Sequence, residues 1–402
     1  MSERPLKIAY VHTQPFDIYE AGTVFSTNTA RGIAEAGAKS LFVASDAGES
    51  VDQVLGKLGL SPHPDLEIRL IRGLRVRIGP LHGSWSGPFR KAAVRAAREF
   101  GADAVICRDL KMAKAFLDER FEGRVIYEVH NVYSLGEDAR NAAFFPADKL
   151  RMHASRAPME DDVFARTDGV IALTQGLADI LVRTKPVSQR VLAAGSASRP
   201  LLDPSGTADR RHIAYVGALD PHKGVGGLVR VMDRLPPKAR LLIFGKGRHL
   251  ASIKDIARTV GTEDRIDYTG FVMPVQLPHH LGRCRAGVVP LVDVFFNRYV
   301  SSPMKIFDYL ASGVVPVVPD LPVFREIFRD ESPAEFFEPG NDESMARAIT
   351  HLFEDDAIFR RRHLAALHQA SEWTWRHRGE RIVEFVRELP FREERHPRPR
   401  PM

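Results

Sequence analysis

Lys305 and Asp308 stand one turn apart where a phosphate ligand and a hydroxyl acceptor could share a helix start. They lie in Asn297-Arg-Tyr-Val-Ser-Ser-Pro-Met-Lys-Ile-Phe-Asp-Tyr-Leu-Ala-Ser-Gly-Val-Val-Pro-Val-Val-Pro319. This stretch reads as a polar loop, a capped helix, a glycine stop and a buried strand. Ser301 or Ser302 can cap the helix, and Pro303 suits its first turn. Met304, Ile306, Phe307, Tyr309 and Leu310 supply an apolar side. Gly313 ends the helix, and Val314 to Val318 is short, apolar and β-branched. Free N–H groups at a helix start, with Lys305 nearby, can hold a phosphate. Asp308 can accept hydrogen bonds from sugar hydroxyls.

Two other positions have fitting chemistry. Gly22 lies in the loop Pro15-Phe-Asp-Ile-Tyr-Glu-Ala-Gly-Thr23 after the first strand. Backbone without a side chain can approach a diphosphate closely there. A turn glycine is the plainer reading. No G-x-G-x-x-G follows the strand, so this is not a dinucleotide fingerprint. His130 ends a strand in Glu-Val-His-Asn. A lone histidine is more often a hydrogen-bonded structural residue, but the carboxyl end of a parallel strand is where ligands bind. Glu128, two residues back, falls on the same side of that strand.

The elements that would position these residues alternate from end to end, which predicts parallel sheets covered by helices. In the first half, strands are expected at Lys7–His12, Leu41–Ala44, Glu67–Ile71, Ala104–Cys107, Val125–Val129 and Gly169–Leu173. Helical patterns such as Phe89–Phe100 and Lys111–Glu119 separate most of them. Near Val191 the pattern lapses into a Gly/Pro/Ser-rich stretch, Ala193 to Thr207, which reads as a linker. A second alternation follows, with strands at Ile213–Val216, Leu241–Phe244, Ile266–Tyr268, Gly287–Pro290, Val314–Val318 and Glu335–Phe337. Two doubly wound domains imply a cleft, with ligands beyond the carboxyl ends of the strands.

Composition supports this division. The chain has 402 residues and is 44% hydrophobic, long for one core and ordinary for two domains. No run of about 20 apolar residues exists, so no transmembrane helix is expected. Met-Ser-Glu-Arg-Pro-Leu-Lys leads directly into a strand without a signal-peptide core, which predicts a cytoplasmic protein. Cys107 and Cys284 fall in apolar segments and read as buried thiols. No Cys/His cluster has metal-ligand spacing. A net charge of +6 leaves nucleic acid, anionic membrane or phosphorylated substrates as partners. No nucleic-acid motif is visible, and none is expected to bind. Part of the excess lies in the Pro-rich tail after Arg392, which reads as disordered.

The Asn297–Pro319 stretch resembles the donor-sugar-nucleotide motif of retaining glycosyltransferases with the GT-B fold, the family 4 group. The matching pattern is Pro-x-Lys-x-x-Glu-Tyr-x-Ala-x-Gly-x-Pro-Val-Val, with Asp308 at its Glu. Tyr215-Val-Gly-Ala-Leu-Asp-Pro-His-Lys-Gly224, Leu242-Ile-Phe-Gly-Lys-Gly247, Thr269-Gly-Phe-Val272, Tyr127-Glu-Val-His-Asn131 and Asp168-Gly-Val-Ile-Ala-Leu-Thr174 match further family segments. In order and at family spacing, they make a strong signal. Two departures stand out. Ala218 holds a position where many members carry Arg, and Val300 one where many carry a sugar-contacting Glu. One branch keeps an Asn and Ser-Pro instead, as Asn297, Ser302 and Pro303 do here.

The resemblance implies an α/β protein of two Rossmann-like domains facing a cleft. Residues 1–198 would bind the acceptor and 199–373 the nucleotide-sugar donor. A last helix near 374–390 would cross back to the first domain, and 391–402 would be a basic tail. It implies donor contacts at Gly22, Gly217, Lys223, Gly245, Phe271, Ser301, Ser302, Met304, Lys305 and Asp308. Lys223 would stabilise the leaving diphosphate without a metal or other cofactor. His130 would sit beside the donor sugar and acceptor hydroxyl, as a catalytic residue but not a nucleophile. With Ala218 in place of Arg, further charge would have to come from Lys305, Arg298 or His222. The plainer readings are a solvated surface lysine for Lys223 and Lys305, a surface carboxylate for Asp308 and a core aromatic for Phe271.

The expected activity is transfer of a sugar from a nucleoside-diphosphate-sugar to a glycan or lipid-linked acceptor hydroxyl, with retention. A catalytically degenerate relative and a nucleotide-sugar epimerase on the same fold remain as alternatives. The basic, glycine-rich segment Arg72 to Lys91 suits a peripheral contact at the inner, anionic face of a membrane. An ordinary loop and solvated helix face is its plainer reading. Ile382, Phe385 and Val386 give the last helix its apolar spacing.

Overall fold

A computed structural model describes residues 4–46, 48–72, 75–78, 81–84, 86–135, 144, 147–187, 190–200, 210–328 and 333–390, with backbone alone for 75–78, 81–84, 86, 148 and 149. The side chains from 73 to 86, the linker from 201 to 207 and the tail from 391 lie outside the described residues. Contacts divide the chain into two units. One comprises Met1–Leu135, Arg151–Gly195 and Trp375–Met402, and the other Gly136–Leu150 and Ser196–Thr374.

The first unit is built on a seven-stranded parallel sheet: β1 (Lys7–Pro15), β2 (Lys39–Ser45), β3 (Leu66–Ile71), β6 (Ala104–Cys107), β7 (Arg124–Val129), β8 (Gly169–Ala172) and β9 (Val191–Ala193). Their spatial order is β3-β2-β1-β6-β7-β8-β9. A short antiparallel hairpin, β4 (Arg75–Ile78) and β5 (Leu81–Ser84), follows β3. Strands covered on both faces read as continuous apolar runs, and Ile8 to Val11 and Leu41 to Ala44 are wholly buried. The sequence reading missed β9, because its three residues show no periodicity and exist as a strand through pairing with β8.

The first helix, Ala21–Glu35, packs along the last, Trp375–Glu388. Gly32 and Gly379 let the two backbones touch. A Cβ on Gly32 would collide with the Trp375 carbonyl, and one on Gly379 with the Gly32 carbonyl. Ile382, Val383, Phe385, Val386 and Leu389 are buried. Arg124 Nε donates to the Leu389 carbonyl at 2.8 Å.

The second unit carries a six-stranded parallel sheet of β10 (His212–Val216), β11 (Leu241–Phe244), β12 (Ile266–Gly270), β13 (Cys284–Val288), β14 (Val315–Pro319) and β15 (Glu335–Phe337). Its order is β12-β11-β10-β13-β14-β15. β13 begins three residues before the expected Gly287, since Arg285 broke the apolar pattern. Its guanidinium lies 4.2 Å from the Phe359 ring centroid and so is packed rather than solvated. Cys107 and Cys284 are free and buried. No helix among the described residues is long and apolar enough to cross a membrane.

Candidate functional site

In the second unit the strand order reverses between β10 and β13, and loops leaving such a point form ligand sites. After β10 the chain turns at Gly217 (φ +133°), forms a 3-10 turn over Pro221–Lys223, and leaves it at Gly224 (φ +69°). A side chain at Gly224 would collide with the Pro290 carbonyl. Asn297 fastens the turn from below, its Nδ2 donating to the His222 carbonyl at 3.2 Å and the Val292 carbonyl at 2.8 Å. Lys223 is thus presented by a braced turn, with Nζ 6.0 Å from the Phe296 ring centroid.

Lys305 comes from the first turn of the helix Met304–Ala311. Its Nζ sits 4.1 Å from the Tyr215 ring centroid and is enclosed with no hydrogen-bond partner. A Cβ on Gly217 would approach Nζ to 3.0 Å, and Gly245 packs backbone to backbone against Gly217. Burial, and then the charge of Lys223, pull Lys305's pKa well below the ordinary lysine value. Lys223, Lys305, Gly217 and Gly245 are therefore brought together. Two nearby ammonium groups, one with unmet donors, suit an anion of more than one charge. Arg298 is instead spent on Asp293, with Nη2 to Oδ2 at 2.7 Å.

The capping expectation for this segment is corrected. Neither Ser301 nor Ser302 caps the helix, because Pro303 occupies that position and the helix has no side-chain cap. Ser302 is tied to Ser196, accepting from its N–H at 2.8 Å while Ser196 Oγ donates to the Ser302 carbonyl at 2.9 Å. Ser301 is buried, and Met304 is half-buried in the first turn. Val300 is a buried core residue.

The enclosed Lys305 amine leads to a prediction. Lys305→Met is expected to raise the melting temperature of the empty protein, by about 1 kcal/mol or more in stability, because a poorly solvated charge disappears. The same change should weaken diphosphate binding at least tenfold in titration calorimetry. Lys305's folded pKa lies below its unfolded value, so between the two the unfolded chain binds the extra proton. Empty-state stability of the wild type then rises with pH across that window. Diphosphate affinity falls across it, because binding requires the protonated amine.

Asp308, one turn on, is not an open carboxylate. Its side chain is 13% exposed, and Arg199 Nε stands 3.0 Å from Oδ1. Burial raises its pKa, opposed by Arg199. The pocket beside it, lined by Arg199, Leu277, Pro278 and Ser312 among others, has a volume of about 10 Å³, room for one water. Phe271 is 42% exposed, with Lys246 Nζ 5.4 Å from its ring centroid, so the core reading of this aromatic is set aside.

The first unit has its own cluster at the β1/β6 switch point. Glu128 is fully buried and accepts from Tyr10 Oη, from His130 Nε2 at 2.9 Å, and from Arg378 Nη2 at 2.5 Å. Burial pushes its pKa up, but Arg378 with the His130 and Tyr10 bonds outweighs this and leaves it well below the carboxylate norm. His130 is pulled down to about 4 by burial and Arg108, against the pull of Glu128, so it is neutral at pH 7. His12 is lowered to about 3 for similar reasons. Phe25 sits between Arg378 (4.8 Å), Arg108 (5.6 Å) and the His130 ring (5.0 Å, edge-on). Gly22 lies inside the first turn of its helix and not in a loop, because the helix starts at Ala21 with Glu20 as its cap residue. Its carbonyl accepts from Arg108 Nη1 at 2.7 Å.

Sequence reasoning missed Arg378, Arg108, Tyr10 and Arg199. Arg378 had a visible signal: a charge on the apolar face defined by Trp375, Ile382 and Val386. Arg199 is a lone cation before a proline in a linker. Nothing marked Arg108 or Tyr10, whose partners are distant in sequence.

The family model for glycosyl transferases group 1 matches residues 203–367, and that for glycosyltransferase family 4 matches residues 22–193. Among curated proteins, an O-antigen chain mannosyltransferase B of Escherichia coli is 23% identical over 219 residues, 53% of this chain and 55% of that protein. The chain thus matches about half the length of that relative. Among solved structures, sucrose-phosphate synthase of Thermosynechococcus elongatus aligns at TM-score 0.73 and 15% identity, over 96% of this chain and 99% of that one. Anabaena HepE in complex with UDP and glucose aligns at 0.69 and 15%, over 96% and 100%. S. aureus TarM, in complex with UDP and other ligands, aligns at 0.72 and 11%, over 95% and 99%. The paired switch-point sites, the two family models across both halves and the shared architecture lead to one assignment: the chain belongs to the glycosyl transferases group 1 and is a glycosyltransferase of the GT-B fold.

Proposed function

We propose that the protein transfers a sugar from a nucleoside-diphosphate-sugar to an acceptor hydroxyl with retention of anomeric configuration. The observation that carries this reading is Lys305 Nζ, enclosed, unpartnered and beside Lys223. A leaving diphosphate would give Lys305 its missing partner and face the charge of Lys223 as the anomeric bond breaks, with no metal required for charge neutralisation. Lys305 takes the place of the arginine that Ala218 lacks. Asp308 is assigned to the ribose, Phe271 to the base, and neutral His130 with Gly22 to the sugar and acceptor side. A glycan or lipid-linked acceptor suits the O-antigen chain named for the curated relative. A cytoplasmic setting, with Arg72–Lys91 touching an anionic membrane, completes the reading.

Thermal-shift screening against UDP, GDP, ADP and their sugars tests it. A ligand at about 100-fold its dissociation constant adds about 2.7 kcal/mol to native stability. A shift with one nucleobase series is expected. No shift with any nucleoside diphosphate at millimolar concentration overturns the reading. Buried, apolar Val300 favours a second reading, a protein that binds nucleotide without transfer. Failure to hydrolyse or transfer a donor that binds tightly would establish it.

A further inference from the structure

Arg199 holds two parts of the second unit at once. Its Nε lies 3.0 Å from Asp308 Oδ1, and its Nη1 donates to the Pro274 carbonyl at 3.0 Å. Pro274 belongs to the loop that begins at Phe271. The residues leading to Arg199 are themselves anchored. Ser196 is bonded both ways to Ser302, Ser198 N donates to the Trp373 carbonyl at 2.6 Å, and Ser198 bridges Thr374 in parallel. Pro200 follows and keeps Arg199's backbone extended. The guanidinium is therefore a fixed fork on a braced stalk.

We propose that Arg199 is a positioning residue for nucleoside recognition, fixing the Asp308 carboxylate and the Phe271–Val275 loop together so that Asp308 selects ribose. The inference rests on the reading of Asp308 as ribose ligand. A carboxylate has about four acceptor sites, and one guanidinium N–H uses one of them. The remaining sites are those that ribose hydroxyls would use, once the one-water pocket beside Asp308 widens to admit them. An aspartate this enclosed stays ionised only with a cation beside it. Once protonated, it turns one oxygen into a donor and loses acceptor strength. Asp308 also stands three residues from Lys305, about 4.5 Å along the helix axis. One short helix thus carries the phosphate-side cation and the ribose-side anion, and Arg199 sets only the second.

The test is titration calorimetry with UDP or GDP, whichever binds wild type, with its 2′-deoxy counterpart, and with inorganic pyrophosphate. Arg199→Met is expected to bind the ribonucleotide at least tenfold more weakly and to lose the ribo-over-deoxy preference. Its pyrophosphate affinity should stay within twofold of wild type, because the lysines are untouched; a general collapse of the site would weaken it too. Asp308→Asn should show the same loss, and the double variant no more. In Arg199→Met the affinity for the ribonucleotide should rise with pH over a higher range than in wild type, as Asp308 ionises later. Arg199→Lys, which keeps the charge, should recover part of the preference and tests the idea even if the Met variant folds poorly. Tighter ribonucleotide binding by Arg199→Met would show Arg199 to be a plug and overturn the proposal, as would an undiminished ribose preference in either the Met variant or Asp308→Asn. If wild type binds no nucleoside diphosphate, the functional reading falls and the proposal with it. If wild type binds and the preference survives, only the proposal falls.

Discussion

A chain ending at Arg376 is expected to lose the first unit altogether. It lacks Ile382, Val383, Phe385, Val386 and Leu389, all buried. At about 1.5–3 kcal/mol for each fully buried large apolar side chain, roughly 7–15 kcal/mol goes with them, as much as the whole stability of an ordinary domain. Arg378 goes too, leaving Glu128 buried without its cation, a further few kcal/mol until the carboxylate protonates. Circular dichroism and limited proteolysis should show the first unit unfolded, with transfer activity gone. A chain ending at Arg392 keeps the last helix and Leu389 whole and should melt like the full protein. Full activity and unchanged melting for the Arg376 truncation would show that the last helix is dispensable.

Lys223→Ala is expected to lower turnover by 10² or more at saturating donor, about 2.7 kcal/mol of transition-state stabilisation. Folding should be little affected, since the 3-10 turn is held by backbone bonds and by Asn297. The effect should not add to that of Lys305→Met. Removing either amine relieves repulsion on the other, and groups sharing one anion couple. Single-turnover measurements on both single variants and the double variant check this. Near-wild-type turnover for Lys223→Ala at saturating donor removes it from the mechanism.

The parallel sheets were legible because strands buried on both faces are unbroken apolar runs, as Ile8 to Val11 and Leu41 to Ala44 show. The Lys305 helix was legible from Pro303 and Gly313, though its start was misread: Ser302 had a stronger partner in Ser196, over a hundred residues away. That is the general reason for what was missed. Arg199 on Asp308 and Arg378 on Glu128 are pairings between residues 109 and 250 apart. No local spacing encodes them. β13 was shifted because a stacked Arg285 looks polar in sequence while behaving as part of the core. β9 carries no periodic pattern and arises from pairing with β8, while β4 does alternate as Arg75-Val-Arg-Ile78 but is four residues long and set among glycines.

The touching glycines of the first and last helices put the order of synthesis at odds with the order of folding. On the ribosome, Gly32 and Glu128 emerge early, but Gly379 and Arg378 follow only after the whole of Ser196–Thr374. At about 5–20 residues per second, the 250 residues from Glu128 to Arg378 and the 347 from Gly32 to Gly379 make the wait on the order of 10–70 s. Throughout it the first helix shows a bare face, and Glu128 has no arginine. The second unit, contiguous but for Gly136–Leu150, can close first. The half of the protein that is made first is therefore completed last, and until then its uncovered helix is a surface for chaperones to hold.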